Sequence, residues 1–221
     1  MKKPSLTLFI ACFLGLANAQ TEVKFNAASA VLLIPNVGVE LPLSKQRSVQ
    51  LDVLGSFWDK APFLNDTPLH LTQIFLEHRW YSGAQTQKWF VAPHIGFGMF
   101  TLQKPRFLVL YDHYEEINGG QSSGGLPEGS HYQSGRIAFY GITLGYKKRF
   151  SNVWAVELFA GLGLSQSKYK GYQNINNQYV SSDINFNGSG EVLLYRGGVM
   201  ISYTFAPQSR KNNDGLFKPR D

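Results

Sequence analysis

Residues 154–164 read WAVELFAGLGL, and the side chains in this stretch alternate between two kinds. Every second residue, from Trp154 to Leu164, is apolar, while the residues between them are mostly small or polar and include the carboxylate of Glu157. Alternation at a period of two is typical of a β-strand with one apolar face. A strand of about ten residues is also the length that crosses a membrane at a tilt.

The same alternation recurs along the chain, for example over residues 37–43, 49–57, 89–99, 142–146 and 199–205. No segment after residue 20 has helical periodicity over three turns. The pattern predicts eight strands, at about 22–32, 34–43, 48–58, 69–81, 88–104, 135–149, 153–169 and 190–205. Pro93 removes a hydrogen-bond donor from the fifth strand, so we expect a bulge there.

Strands with one apolar face fit either a soluble sandwich or a membrane barrel, and three features favour the barrel. The polar face is rich in glycine, which suits a narrow interior. Short connections at 44–47, 82–86 and 150–152 alternate with long ones at 59–68, 105–133 and 170–188, as in outer-membrane barrels. Aromatic residues lie near the predicted strand ends, as they do at membrane interfaces: Trp58, Trp80, Trp89, Tyr146, Trp154, Tyr203 and Phe205.

The first residues predict export. A basic start, an apolar run over residues 6–16 and Ala17-Asn18-Ala19 match a cleaved signal peptide over residues 1–19. Lipid attachment at Cys12 is a weaker alternative, because Phe9 fits a lipid-attachment motif poorly. We therefore expect a barrel domain over residues 20–205, a flexible periplasmic tail over 206–221, and a location in the cell outer membrane.

The composition excludes several classes of protein. Charged residues make up 16% of the 221-residue chain, which together with 43% hydrophobic residues excludes a disordered chain. Cys12 is the single cysteine, so disulfides and cysteine metal sites are excluded. The net charge of +6 falls to +4 without Lys2 and Lys3, and the basic residues are spread out, so a nucleic-acid partner is not expected.

Two blocks carry a resemblance: PNVGVEL followed by KQRSVQLD over residues 35–52, and EHRW with FGM at residues 77–80 and 97–99. They are similar to a family of small outer-membrane β-barrels of Gram-negative bacteria with no assigned function. More loosely, the chain resembles the OmpA-type eight-stranded transmembrane barrels. The resemblance implies an all-β fold, an eight-stranded antiparallel up-and-down transmembrane β-barrel, and it implies no catalytic residues.

If the apolar faces point to lipid, the charged residues of the strands point into the lumen. Both signs are present, as burial requires, because an unpaired buried charge is costly. We expect these residues either to form a packed structural plug or to gate a narrow ion path. The predicted lumen charges are Glu40, Asp52, Glu77, Arg79, Lys147, Glu157 and Arg196.

The long connections hold the candidate extracellular contacts, since exposed aromatic loops serve as binding surfaces. These candidates are Tyr111, His113, Tyr114, Tyr132, Tyr172 and Tyr179. We found no metal-binding spacing among the histidines, no nucleophile elbow and no phosphate loop, so no catalytic residue, metal or cofactor is predicted. Asp112, His113 and Ser122 are the residue types of a lipid-hydrolase triad, but their spacing in the sequence does not support one.

The expected function is that of a structural or surface-interaction protein with a plugged polar lumen. Its partners would be outer-membrane lipid and an unidentified surface ligand or protein. The alternatives are a narrow conduit for ions or small solutes and, with less support, a lipid-modifying enzyme. Eight strands enclose an interior that side chains can fill, which favours the plug.

Overall fold

The computed structural model describes residues 21–64, 66–84, 86–103, 109–112, 131–173, 177–182 and 191–205. Within these ranges the chain is almost entirely β-structure. A five-residue helix, α1 (Ala27–Val31), and a 3-10 turn at Pro62–Leu64 interrupt it. The strands are β1 Glu22–Asn26, β2 Asn36–Pro42, β3 Arg47–Ala61, β4 Thr67–Gly83, β5 Gln87–Leu102, β6 Val109–Asp112, β7 His131–Arg149, β8 Trp154–Gln173, β9 Tyr179–Ser182 and β10 Glu191–Thr204.

Eight of these strands form one antiparallel, up-and-down sheet that closes in a ring. Each of β1 to β5, β7 and β8 pairs with its neighbour in the series, and β10 closes the ring by pairing with both β8 and β1. At the closure, Val23 of β1 lies opposite Tyr203 of β10. The short strands β6 and β9 pair with β10 and β8 respectively and lengthen the sheet at one end. The all-β class and the eight antiparallel strands agree with the prediction.

The ring has two unlike ends. The short-turn end holds the connections at 43–46, 84–86 and 150–153, together with Thr21 and Phe205. At the long-connection end lie α1 with residues 32–35, the 3-10 turn at Pro62–Leu64, the last residues of β5 and β8 and the first residues of β7 and β10. This arrangement places short and long connections at opposite ends, because successive strands run in opposite directions.

Side chains on the strands alternate between the outside and the inside of the ring. On β8 the outward residues Trp154, Leu158 and Leu162 are exposed, whereas the inward residues Ala155 and Glu157 are buried. Apolar residues therefore cover the outer wall, and glycine, charged and small polar residues face the interior together with a few aromatic rings. One buried apolar cluster inside the ring consists of Tyr81, Phe90, Ala92, Phe159 and Met200.

The first strand is shorter than predicted. The alternation of β1 stops at Asn26, and residues 27–31 form α1 instead of continuing the strand to residue 32. Asn26 caps this helix by accepting hydrogen bonds from the Ala28 and Ser29 amides, and such short polar side chains favour helix starts. The apolar segment that follows places Ile34 against Ala61 and Leu69 at the long-connection end.

The bulge expected at Pro93 is absent, and that prediction is wrong. Pro93 pairs with Ile142 on one side, and on the other side the pairs Glu77–His94 and Trp80–Val91 keep the same register. Pro93 points outward among apolar side chains. The missing hydrogen-bond donor of Pro93 thus does not shift the register between β4 and β5.

Neither of the helical segments in the described part of the chain is long and apolar enough to cross a bilayer. The predicted signal peptide (1–19) and the predicted tail (206–221) lie outside the described residues.

Candidate functional site

The interior of the ring brings together all seven of the predicted lumen charges. Each lies on the inward face of its strand, and the side chains of Glu40, Arg79, Lys147 and Glu157 are completely buried. Three further ionisable residues join them: Glu22, Lys24 and Arg149. The ten side chains form one continuous series, which we call the interior charge chain. It consists, in order, of Arg149, Glu22, Lys147, Glu40, Lys24, Glu157, Arg79, Glu77, Arg196 and Asp52.

The first half of the chain lies toward the short-turn end. Arg149 pairs with Glu22, whose other carboxylate oxygen lies 2.5 Å from the Lys147 ammonium nitrogen. Lys147 also reaches Glu40 at 2.9 Å, and Lys24 contacts the same Glu40 oxygen at 2.5 Å. Two lysines on β1 and β7 thus share one carboxylate on β2. The contact joins β7 to two consecutive strands that lie far from it in sequence.

The second half leads to the middle of the ring. Lys24 lies 2.6 Å from Glu157, and Arg79 donates to both oxygens of that carboxylate at 2.9 Å. Arg79 also donates through Nε to Glu77 at 2.7 Å.

Arg196 connects the last two carboxylates of the interior charge chain, with one nitrogen on Glu77 at 2.6 Å and another on Asp52 at 2.7 Å. Forked guanidinium contacts of this kind fix geometry more tightly than a lysine does.

Hydroxyl groups satisfy several of the remaining carboxylate lone pairs. Ser48 and Tyr81 both donate to Glu40 Oε1, at 2.5 and 2.7 Å. Thr143 donates to Glu77 Oε1 at 2.6 Å. Hydrogen bonds like these are required if a buried charge is to be tolerated.

A histidine relay extends from Thr143 toward the long-connection end. His94 contacts Thr143 through Nδ1 at 2.9 Å and the Tyr195 hydroxyl through Nε2 at 2.5 Å. Because the Thr143 hydroxyl hydrogen is directed to Glu77, the network assigns the donor role to Nδ1, while Nε2 accepts from Tyr195.

Aromatic rings pack against two cations of the interior charge chain in addition to the carboxylates that pair with them. The Arg79 guanidinium lies 4.5 Å from the centre of the Phe90 ring, and Arg196 lies 4.4 Å from that of Phe75. Phe75 and Tyr195 each pack against Phe139 at a tilt, with centroid distances of 5.3 Å for Phe75 and 4.5 Å for Tyr195. Cation–π contacts of this kind strengthen when they are shielded from water.

Glycine makes room for the largest inward side chains. A Cβ atom at Gly161 would lie 2.5 Å from Cγ of Arg196, closer than real contacts allow. Arg196 and its neighbour Tyr195 both turn inward, because the β8–β10 pairing shifts register between Leu194 and Arg196. Gly198 has a φ of +144° and leaves space for the side chain of Asn26, which donates to the Gly197 carbonyl at 3.1 Å.

The interior charge chain carries no net charge, because five cations alternate with five carboxylates. Each inner member touches two partners of opposite sign, so the site can hold charge in place without a counter-ion. Among the described residues, no group of three His, Cys, Asp or Glu side chains is arranged to hold a metal ion. The arrangement can fill the interior and fix the register of the strands around it.

The predicted loop contacts are only partly described. Tyr132 and Tyr172 stack on the outer side of β7 and β8 with ring centroids 5.3 Å apart, and the Tyr132 hydroxyl donates to Asn177 at 3.1 Å. Tyr111 and Tyr179 belong to β6 and β9. His113 and Tyr114 lie outside the described residues, as does Ser122 of the unsupported triad.

Sequence reasoning missed three members of the chain, although each had a signal. Glu22 and Lys24 alternate with Val23 and Phe25, but this regular pattern lasts only five residues before α1 begins. Arg149 lies two residues after Lys147 and therefore on the same face of β7. Tyr195 and His94 gave no charge pattern, and their contact depends on the register shift in β10.

Comparison with known proteins identifies a family for this chain. Residues 5–205 match a family described as protein of unknown function (DUF3575). No curated protein and no solved structure matches the chain. The family match spans the whole ring and most of the 221 residues, and the chain therefore belongs to the DUF3575 family of proteins of unknown function.

Proposed function

We propose that the protein is an integral outer-membrane β-barrel with a plugged lumen that serves envelope structure or surface interaction through its long connections. The observation that carries this proposal is the inverted sidedness of the ring. Fully buried charges fill the interior, and large apolar side chains cover the outer wall.

The exposure of individual residues supports a lipid-facing wall. Trp89, Leu158 and Ile95 are 66%, 64% and 57% exposed, whereas Lys24, Arg79 and Lys147 are 0% exposed. A protein surrounded by water places these two classes of residue the other way round. The sheet also closes on itself, because β10 pairs with both β8 and β1, and hydrocarbon demands such closure.

The height of the apolar wall fits a bilayer. On β8 the outward apolar residues run from Trp154 to Leu164. Ten residue steps rise about 33 Å, which at a tilt near 45° covers roughly 23 Å, close to the apolar band of outer-membrane barrels.

Aromatic side chains edge this band at the short-turn end. Trp89 packs on Tyr146, and Trp154 packs on Tyr203, each pair with ring centroids 5.1 Å apart. Such amphipathic rings prefer the membrane interface. The proposal therefore places the short-turn end on the periplasmic side and the long connections outside the cell.

The interior charge chain favours a plug over a conduit for ions. A conducting path requires room beside its charges, but the side chains around Glu157 and Arg79 are fully buried against one another. We expect planar-bilayer recordings of the purified protein to show no conductance steps. Reproducible steps that change in variants of Arg79 would support the narrow conduit instead.

The experiment that tests the proposal combines fractionation with gel migration. A folded barrel resists detergent until heated, so the protein from isolated outer membranes should run at different positions before and after boiling. Protease added to intact cells should cut within residues 113–130, between β6 and β7, and leave the eight strands of the ring intact. A chain that stays folded and monomeric in buffer without detergent would contradict the proposal.

A further inference from the structure

Three cations lie side by side on the outer wall near the long-connection end. Arg136 of β7 is directly opposite Lys168 of β8, and Lys170 is opposite Ser134 one step further along. The side chains of Arg136, Lys168 and Lys170 all face outward and are exposed. No carboxylate of the described residues forms an ion pair with any of them, in contrast to the fully paired interior.

This grouping is unfavourable as it stands. Like charges directly opposite each other on neighbouring strands repel and destabilise the pair. An anion held between Arg136 and Lys168 would turn the repulsion into attraction. The arrangement therefore indicates a negatively charged ligand.

The height of the cations on the wall indicates where that ligand comes from. On β7 the unbroken outward series of large apolar residues ends at Tyr140, and on β8 the unbroken outward series of apolar residues ends at Leu164. Arg136 and Lys168 each lie two outward positions beyond it, at about the level where lipid phosphates would follow the hydrocarbon. Long basic side chains at this height reach the interface readily.

A shallow cleft of about 480 Å³ adjoins the cations on the outer wall. One part of it is apolar and continuous with the lipid-facing band, and the other part is basic and hydroxyl-rich. The Thr101 and Ser134 hydroxyl oxygens lie 2.7 Å apart within it. Among the residues that line the cleft are Phe57, Met99, Thr101, Ser134, Arg136 and Lys170.

We propose that Arg136, Lys168 and Lys170 bind the phosphate group of an anionic lipid, with its acyl chains against Met99 and Phe57. This inference rests on the proposed function, because it requires the outer wall to face a bilayer. An acidic protein segment would use the cations but not the apolar part of the cleft, so the lipid fits the surface better. Phosphate accepts hydrogen bonds from both guanidinium and ammonium groups.

The test is native mass spectrometry of the detergent-extracted protein with phosphatidic acid and, as a neutral comparison, phosphatidylcholine. The wild-type protein should bind phosphatidic acid in preference. The variant Arg136→Gln/Lys168→Gln/Lys170→Gln should lose affinity roughly 100-fold, since each of the three basic residues near anionic lipid contributes about 1 kcal/mol and about 1.4 kcal/mol corresponds to a tenfold change.

A matched control removes three exposed cations from the short-turn end: Lys45→Gln/Arg47→Gln/Lys148→Gln. It should bind phosphatidic acid as the wild type does. Equal loss in both variants would show a general charge effect and overturn the site, as would unchanged binding by the first variant. Displacement of the lipid by millimolar inorganic phosphate would make it a phosphate site, and preferential binding of an acidic peptide would make it a protein site.

The gel assay separates failure of this site from failure of the proposed function. Both triple variants should remain heat-modifiable, because none of their six residues belongs to the interior charge chain. A heat-modifiable first variant that still binds phosphatidic acid contradicts the lipid site alone. A wild-type chain that is not heat-modifiable contradicts the membrane proposal itself.

Discussion

Glu157 joins the two halves of the interior charge chain. Its carboxylate accepts from Lys24 on one side and from two donor contacts of Arg79 on the other. All three side chains are fully buried. Loss of this one charge leaves two cations facing each other without water.

We expect Glu157→Gln to lower the free energy of unfolding by about 3–5 kcal/mol, the usual cost of breaking a buried ion pair from one side. Urea titration of the reconstituted protein, followed by the loss of the heat-modifiable band, measures this change. Asp59→Asn is the matched control, since Asp59 is 92% exposed, and it should change the midpoint little. Equal urea midpoints for the two variants would mean that the interior charge chain does not contribute to stability.

Gly198 offers a test of backbone conformation at one residue. Its φ of +144° is rare for other residues, and an added methyl group would collide with the Asn26 side chain. We expect Gly198→Ala to destabilise the fold by about 1–3 kcal/mol. The neighbouring Gly197→Ala should cost less, because its nearest neighbour, the Phe159 carbonyl oxygen, would lie 3.2 Å from the new methyl group. A larger loss for Gly197→Ala would contradict this reasoning.

Residue type and strand phase predicted which charges face inward, but not which charges meet. Lys24 and Glu157 are 133 positions apart in sequence, and Lys147 and Glu22 are 125 apart. Their pairing depends on how the ring closes and on its register, which no local pattern contains. Tyr195 shows most clearly what the sequence pattern could not predict, because a register shift in β10 turns its side chain inward beside Arg196.

At the scale of the strand, substitutions on the outer face of β8 can test whether that face contacts lipid or water. Leu158 lies near the middle of the apolar stretch and is 64% exposed, while Gln166 lies just beyond the end of that stretch. A lysine in the middle of a bilayer is costly, whereas one near its edge is not.

We expect Leu158→Lys to destabilise the protein in phospholipid vesicles by about 2–4 kcal/mol, and Gln166→Lys by about 0–1 kcal/mol. Urea unfolding in vesicles, monitored by tryptophan fluorescence, measures both. If β8 faces water, Leu158→Lys should instead leave stability unchanged or raise solubility. Equal effects of the two substitutions would contradict the lipid-facing wall.

Most strands could be predicted from their alternation, and the exceptions have local causes. Strands β3 to β5, β7 and β8 lie close to their predicted ranges, because each keeps period two over ten or more residues. The pattern of β1 is too short to reveal its end, since Asn26 and two alanines favour a helix start. Strands β6 and β9 have four residues each and pair only with the outer ends of β10 and β8.

At the scale of the whole molecule, everything depends on the closure between β1 and β10. Val23 and Tyr203 lie opposite each other there, on the outer face. Opposite residues on paired strands have Cβ atoms about 4.5–5.5 Å apart, a separation that small adjustments bring within the range of a disulfide.

We expect the pair Val23→Cys and Tyr203→Cys, in a chain with Cys12→Ala, to cross-link on mild oxidation. The cross-linked chain should run faster than the reduced chain on a gel after boiling. The pair Val23→Cys and Val199→Cys is the control, because Val199 lies four residues, or about 13 Å, further along β10. Cross-linking of the control alone would place β1 in another register.

The order of signs inside the ring also restricts how this protein can diverge. Loss of the charge of an inner member leaves its two neighbours, which have the same sign, without that partner. A tolerated substitution there therefore requires a second, compensating substitution at a neighbouring member. Arg149 and Asp52 stand at the two termini of the series, and each has a single ionic neighbour within it. In related sequences, the two terminal charges should therefore be lost by single substitutions, whereas the inner charges should change in pairs.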